Sequence, residues 1–93
     1  MSPTTTAAFD AGLPYELHPQ VAIRPEAFGG LAYHYGNRRL TFLKAPMLVE
    51  LVEALGEYPS ARAAIDTHVP EPRRPAVERA LSGLLASEVI RVR

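Results

Sequence analysis

Two segments of alternating polarity, LAYHYG and RRLTFLK, meet at Gly36-Asn37, and this junction constrains the fold more than any other feature of the chain. A Gly-Asn pair between alternating runs reads as a two-residue hairpin loop, because Gly takes the positive φ that a type II′ turn demands. With those two residues as the loop, the register follows. Tyr35 faces Arg38, His34 faces Arg39, Tyr33 faces Leu40, Ala32 faces Thr41 and Leu31 faces Phe42. Side chains alternate between the two sides of a strand. Leu31, Tyr33, Leu40 and Phe42 therefore share an apolar face for burial, while Ala32, His34, Arg39 and Thr41 share a wet one. Upstream, Val21 and Ile23 alternate with Ala22 and Arg24 until Pro25 closes the run, and Phe28-Gly29-Gly30 reads as a turn. The expectation is a half-buried antiparallel meander of three strands.

The second half carries helical periods. Pro46 suits a first helical position, and Leu48, Leu51, Val52 and Leu55 form a stripe closed by Gly56. Ser60 caps a short second helix with Ala61, Ala64 and Ile65 on its apolar side, ending near His68 before Pro70 and Pro72. Pro75 opens a third helix with Val77, Leu81, Leu84 and Leu85 on one side. Val89, Ile90 and Val92 suit a short final strand or an extended end. Three strands alone are marginal, so the apolar sheet face must rest on the helices. The fold class is α+β: a three-stranded antiparallel sheet followed by three helices, winged-helix-like. Residues 1–12 are small and polar without a period and read as a flexible N-terminal tail, leaving 13–93 as one domain.

Several kinds of chemistry are disfavoured. The absence of Cys removes thiolate metal sites, iron–sulfur ligation and thiol nucleophiles. His18, His34 and His68 fall on a loop, a strand and a helix end, with no ligand spacing, so no metal is expected. Glu50, Glu53 and Glu57 lie opposite the first helix's apolar stripe and read as a solvated face. No nucleophile elbow is present, and Gly29-Gly30 precedes a strand rather than a helix, so no phosphate loop forms. An enzyme is not expected, nor a cofactor. Ten basic residues balance ten acidic ones, which weakens a nucleic-acid reading. No apolar run approaches a membrane span and the start lacks a signal-peptide pattern, so the default location is cytoplasmic.

The basic residues frame two elements. Arg38 and Arg39 open the third strand, Lys44 closes it, and Arg73 and Arg74 precede the third helix. Strand 38–44 is a sheet edge in a simple meander, and such an edge receives an acidic extended peptide as a fourth strand. The alternative is a winged-helix DNA-binding or transcription-associated domain. Against it, the outer side of the third helix offers Glu78 beside Arg79, a poor base-reading surface.

The stretch ELHPQVAIRPEAFGGLAYHYGNRRLTFLK, with RRPAVERALSGLLASEVIR downstream, strongly resembles the PqqD-like family of RiPP recognition elements, and within it the peptide chaperones of mycofactocin biosynthesis. The resemblance runs from about Leu13 to the C-terminus, and HPQVAIRP and YHYGNRRLTFLK are its specific parts. It implies a non-catalytic domain that binds the leader of a precursor peptide by strand addition and presents it to a radical S-adenosylmethionine maturase. That partner would carry the iron–sulfur clusters. Carried onto this chain, the peptide edge is Arg38, Arg39, Leu40, Thr41, Phe42, Leu43 and Lys44, faced by Arg74, Val77, Glu78 and Leu81 of the third helix. The state expected is a monomer or weak homodimer, with Glu50, Glu53 and Glu57 as a candidate contact for the maturase.

Overall fold

The computed structural model describes residues 8–93. Its strands are β1 (Tyr15–Leu17), β2 (Val21–Glu26), β3 (Gly29–His34), β4 (Leu40–Leu43) and β5 (Ile90–Val92). The helices are α1 (Pro46–Ala54), α2 (Ala61–His68) and α3 (Arg74–Ala86), with single 3₁₀ turns at Leu55–Glu57 and Glu71–Arg73. β2, β3 and β4 form the expected antiparallel meander, in that order. The fold class holds, and so does the hairpin register: Leu31 pairs with Phe42, Ala32 with Thr41 and Tyr33 with Leu40.

The loop differs from the two-residue turn. Four residues separate His34 from Arg39, the Arg38 N–H donates to the His34 carbonyl at 2.8 Å, and Arg38 rather than Gly36 takes the positive φ, at 62°. His34 explains the longer loop. It is buried, and its Nδ1 accepts the N–H groups of Gly36 and Asn37 at 3.0 and 3.1 Å. A side-chain acceptor satisfies the loop amides that a tight turn would leave to water. Register survives because both loop lengths keep the same residues opposite one another.

The faces of the sheet are reversed from expectation. Ala32 and His34 are buried, with Leu43, Val21 and part of Ile23 on their side, whereas Tyr33, Leu40 and Phe42 are exposed. The cause is close approach. A Cβ at Gly30 would stand 2.9 Å from Val49 Cγ2 of α1, so the helices seat on the face with the smaller side chains. Two further boundaries move. Pro25 lies within β2 and pairs with Gly30, tolerated because β2 is a terminal strand. Gly29 and Gly30 start β3 instead of making the turn. Gly29 has φ 147°, and a Cβ there would collide with the Leu43 carbonyl oxygen, so this position admits only Gly.

The helices form where their punctuation places them. Pro46 and Pro75 sit in the first turns of α1 and α3, and Ser60 Oγ accepts the Ala63 N–H at 3.2 Å. Leu51, Val52 and Leu55, Ala61, Ala64 and Ile65, and Val77, Leu81 and Leu84 converge on one core with Tyr15, Leu43 and Ile90. The final strand has a partner that was not anticipated: β5 pairs antiparallel with β1 in a second, two-stranded sheet. Arg91 binds Glu16 at 2.7 Å across it, and Arg93 donates to the carbonyls of Gly56 and Tyr58 at 2.6 Å each. Residues 1–7 of the expected tail lie outside the described residues. Beyond them, Phe9 stacks on Tyr15 at 5.0 Å and Ala11 is buried, so residues 9–12 pack on the domain rather than trailing from it.

Candidate functional site: an open sheet edge over a helix-lined trough

β4 has a partner on one side only. The His34 N–H donates to the Arg39 carbonyl at 3.0 Å. By the alternation of an antiparallel ladder, Thr41 and Leu43 turn their amides toward β3, while Leu40 and Phe42 turn theirs to the open side; the Arg39 N–H donates instead to Asn37 Oδ1 in the loop at 2.9 Å. Those outward N–H and C=O groups are what an added strand would meet.

Beneath the edge, α3 and the start of α1 wall a trough. One hollow of about 330 Å³ lies among Thr41, Phe42, Leu48, Gly83, Leu84 and Ser87. A second, of about 410 Å³, lies among Met47, Pro72, Arg73, Ala76 and Val77. Lys44, Leu48 and Ala80 line both, so the two are continuous. The floor is a stripe of small residues, Ala76, Ala80, Gly83 and Ser87, spaced to recur on one side of α3. Nothing lies within 4 Å of where a Gly83 Cβ would be. The trough is mainly apolar, with Lys44 and Arg73 as its cations.

The structure distributes the residues expected from the sequence. Leu40, Thr41, Phe42 and Leu43 make β4, but Leu43 points into the core and is fully buried. Arg38 and Arg39 precede the strand in the loop, and Lys44 follows it at the mouth of both hollows. Of the four α3 residues expected from the sequence, only Val77 lines the trough. Leu81 is fully buried in the core, and Glu78 lines neither hollow. Arg74 ties α3 to α2 by donating to the Val69 carbonyl at 3.0 Å and pairing with Asp66 at 3.4 Å. The small-residue stripe and the contributions of Met47, Leu48, Pro72 and Arg73 were missed. Its signal was present, since Ala76, Ala80, Gly83 and Ser87 have helical spacing, but small residues carry little weight in a search for apolar stripes.

Two histidines far apart in sequence come together. The His18 and His34 rings lie 4.4 Å apart, and their ligand atoms and a Glu88 oxygen are all within 4.8 Å of one another. The arrangement does not fit a metal. His18 Nδ1 accepts the Gln20 N–H at 3.0 Å, as His34 Nδ1 accepts its two loop amides, so both Nε2 atoms carry the proton. A coordinating His instead donates from its second nitrogen. Burial, then the neighbouring His34 and Arg91, hold the His18 pKa below the ordinary 6.5. A base whose pKa falls on folding adds stability that is complete above its unfolded value and is lost as pH drops below it. The thermal midpoint is therefore expected to fall from pH 7 toward pH 5. A series of melts on wild type and His18→Asn, whose side-chain oxygen replaces the Gln20 acceptor, should show a shallower dependence in the variant.

Fold and site together define a small α+β domain in which the terminal strand β4 lies above an apolar trough, a geometry suited to an extended peptide. The chain belongs to the Peptide chaperone MftB family, whose model matches residues 14–91. It is 51% identical over 57 residues to the Peptide chaperone MftB of Mycolicibacterium smegmatis, an alignment covering 61% of this chain and 56% of that one. Against the protein of the same name from Mycobacterium tuberculosis the identity is 48% over 59 residues, covering 63% and 54%. The alignments thus span about half the length of these curated relatives. No solved structure matches the chain significantly. The resemblance read from the sequence is borne out at the level of the family.

Proposed function

We propose that this protein is a non-catalytic chaperone that binds the leader of the mycofactocin precursor peptide as a strand added to β4 and presents it to a radical S-adenosylmethionine maturase. The observation that carries this reading is the free edge of β4 directly over the trough. Main-chain bonds to Leu40 and Phe42 would supply affinity. Every second leader side chain would enter the trough, where the small-residue floor leaves room for bulky apolar groups. Lys44 and Arg73 in the trough, with Arg38 and Arg39 before the strand, favour an acidic leader. The family's chaperone description and the lack of a nucleophile motif support a binding role rather than a reaction. No helix of the described residues is long and apolar enough to cross a membrane, in keeping with work in the cytoplasm. The DNA-binding alternative has no comparable support, because the face of α3 toward β4 is apolar and small.

Calorimetric titration with a synthetic acidic leader and a scrambled control tests the reading. Saturable binding of the true leader alone is expected; equal binding of both would reject it. Gly83→Leu sharpens the test. Its side chain enters open space on α3, so the fold should gain about 0.5–1 kcal/mol from the lost glycine. The same side chain fills the trough and should weaken the leader by about tenfold or more. A more stable protein that binds less well is the expected pair of results, read by urea denaturation and titration.

A further inference from the structure

The β3–β4 loop carries two costs that a turn alone does not require. Arg38 sits at φ 62°, in the left-handed region that Gly or Asn occupies more easily, although Gly36 and Asn37 stand just before it. The buried His34 leaves its Nε2 without a hydrogen-bond partner. Strained backbone and unpaired buried groups concentrate where a structure is held ready for a ligand. What the two costs secure is the loop backbone. The N–H of Tyr35 donates to the Gln20 carbonyl at 2.8 Å, those of Gly36 and Asn37 to His34 Nδ1 at 3.0 and 3.1 Å, that of Arg38 to the His34 carbonyl at 2.8 Å and that of Arg39 to Asn37 Oδ1 at 2.9 Å. The two guanidinium groups are left over. Arg38 and Arg39 are exposed, and among the described residues neither meets a carboxylate, whereas Arg24, Arg74 and Arg91 pair with Glu26, Asp66 and Glu16.

We propose that this loop is a preformed clamp for one carboxylate of the leader, with Arg38 and Arg39 as its donors and His34 as their positioning residue. The inference rests on the strand-addition reading above. The bond from the His34 N–H to the Arg39 carbonyl carries the ladder one residue beyond β4, so alternation puts Arg39 on the side of Thr41, which lines the trough. A strand that sets one side chain opposite Thr41 sets the side chain two residues along opposite Arg39. The leader class selected this way has a bulky apolar residue in the hollow by Gly83 and an acidic residue two positions from it. A planar guanidinium bonds a carboxylate through two N–H groups, and a loop ordered before binding loses no affinity to ordering. Since His34 Nε2 bonds nothing, the side chain acts on the loop through Nδ1 alone, and an Asn Oδ1 can take over as that acceptor.

The test is a double-mutant cycle on affinity for the synthetic acidic leader, read by calorimetry on variants checked for folding by circular dichroism. His34→Leu should weaken binding about tenfold, and His34→Asn by less than about threefold. In a background of Arg38→Gly with Arg39→Gln, the same His34→Leu change should weaken it by less than about twofold, because no guanidinium is left to position. Arg38→Gly alone should raise the thermal midpoint by relieving the positive φ, yet weaken the leader. Leaders with one acidic side chain at a time changed to its amide should single out a carboxylate two residues from the bulky apolar one. A folded His34→Leu with unchanged affinity, or an equal loss with and without the arginines, would overturn the clamp and leave the peptide edge standing. A loss spread evenly over the leader's carboxylates means long-range attraction only and overturns it too. A wild type that fails to bind leader would overturn the edge reading, and the clamp with it. Should His34→Leu not fold, Asn37→Ala decides, since it removes the Arg39 acceptor at an exposed site. Its expected loss of about threefold should vanish in the arginine-free background, and no loss, or one that persists there, overturns the clamp.

Discussion

Phe42→Pro is expected to abolish leader binding, lowering affinity by about a hundredfold or more, in a domain that still folds. The Phe42 amide turns to the open side of β4, so the substitution removes no bond to β3. It removes one donor to the added strand, places a pyrrolidine ring where that strand must approach, and deletes an aromatic side chain at the edge. A lost main-chain bond contributes about 1 kcal/mol, and an unpaired peptide carbonyl left facing the ring adds a desolvation penalty of about 1–3 kcal/mol. Phe42→Ala separates the contributions, because it loses the ring but keeps the amide, and should retain most of the main-chain affinity. Thr41→Pro is the contrasting control. Thr41 pairs toward β3, so its replacement should break the sheet itself. Calorimetry on folded protein decides the matter: leader affinity unchanged by Phe42→Pro would mean that the peptide does not add to β4.

Leu81→Ala should lower stability by about 2–5 kcal/mol, read as a lower urea midpoint with an unchanged denaturant slope. Leu81 is fully buried within the core beneath α3, so truncation leaves a cavity rather than a smoother binding surface. A domain of this size has a total stability of about 5–14 kcal/mol, and the loss would be a large share of it. Leader affinity per folded molecule should nevertheless change little, because the side chain does not line the trough. Weakened binding with unaltered stability would return Leu81 to the binding surface where the sequence reading put it.

The contrast between Leu81 and Gly83 shows how much of the site was legible. β4 as an edge followed from a meander of consecutive strands, whereas the outward backbone of Leu40 and Phe42 follows from the observed register. The helix expected opposite that edge, α3, lines the trough. Which side of α3 faces the edge was not legible, because its Leu stripe and its Ala/Gly/Ser stripe are both regular, and the more apolar one goes to the core. The His18–His34 pair was equally hidden, since residues 16 positions apart on a loop and a strand meet only once β2 turns back along β3.

Local chemistry in the sequence determined the elements themselves. Pro46, Ser60 and Pro75 set the helix starts, alternation set the strands, and the hairpin register emerged correctly even with the wrong loop length, because the pairing partners are the same in both. Tertiary structure alone decided which sheet face is covered. Hydrophobicity assigned Leu31, Tyr33, Leu40 and Phe42 to the interior, yet α1 can approach β3 closely only over Gly30 and Ala32. It decided the partner of β5 as well, since nothing local in a three-residue strand specifies a mate 75 residues away. Burial rewards the total contact made by packed layers, not the polarity of each strand taken separately. The small-residue face therefore went inward, and the aromatic face was left open.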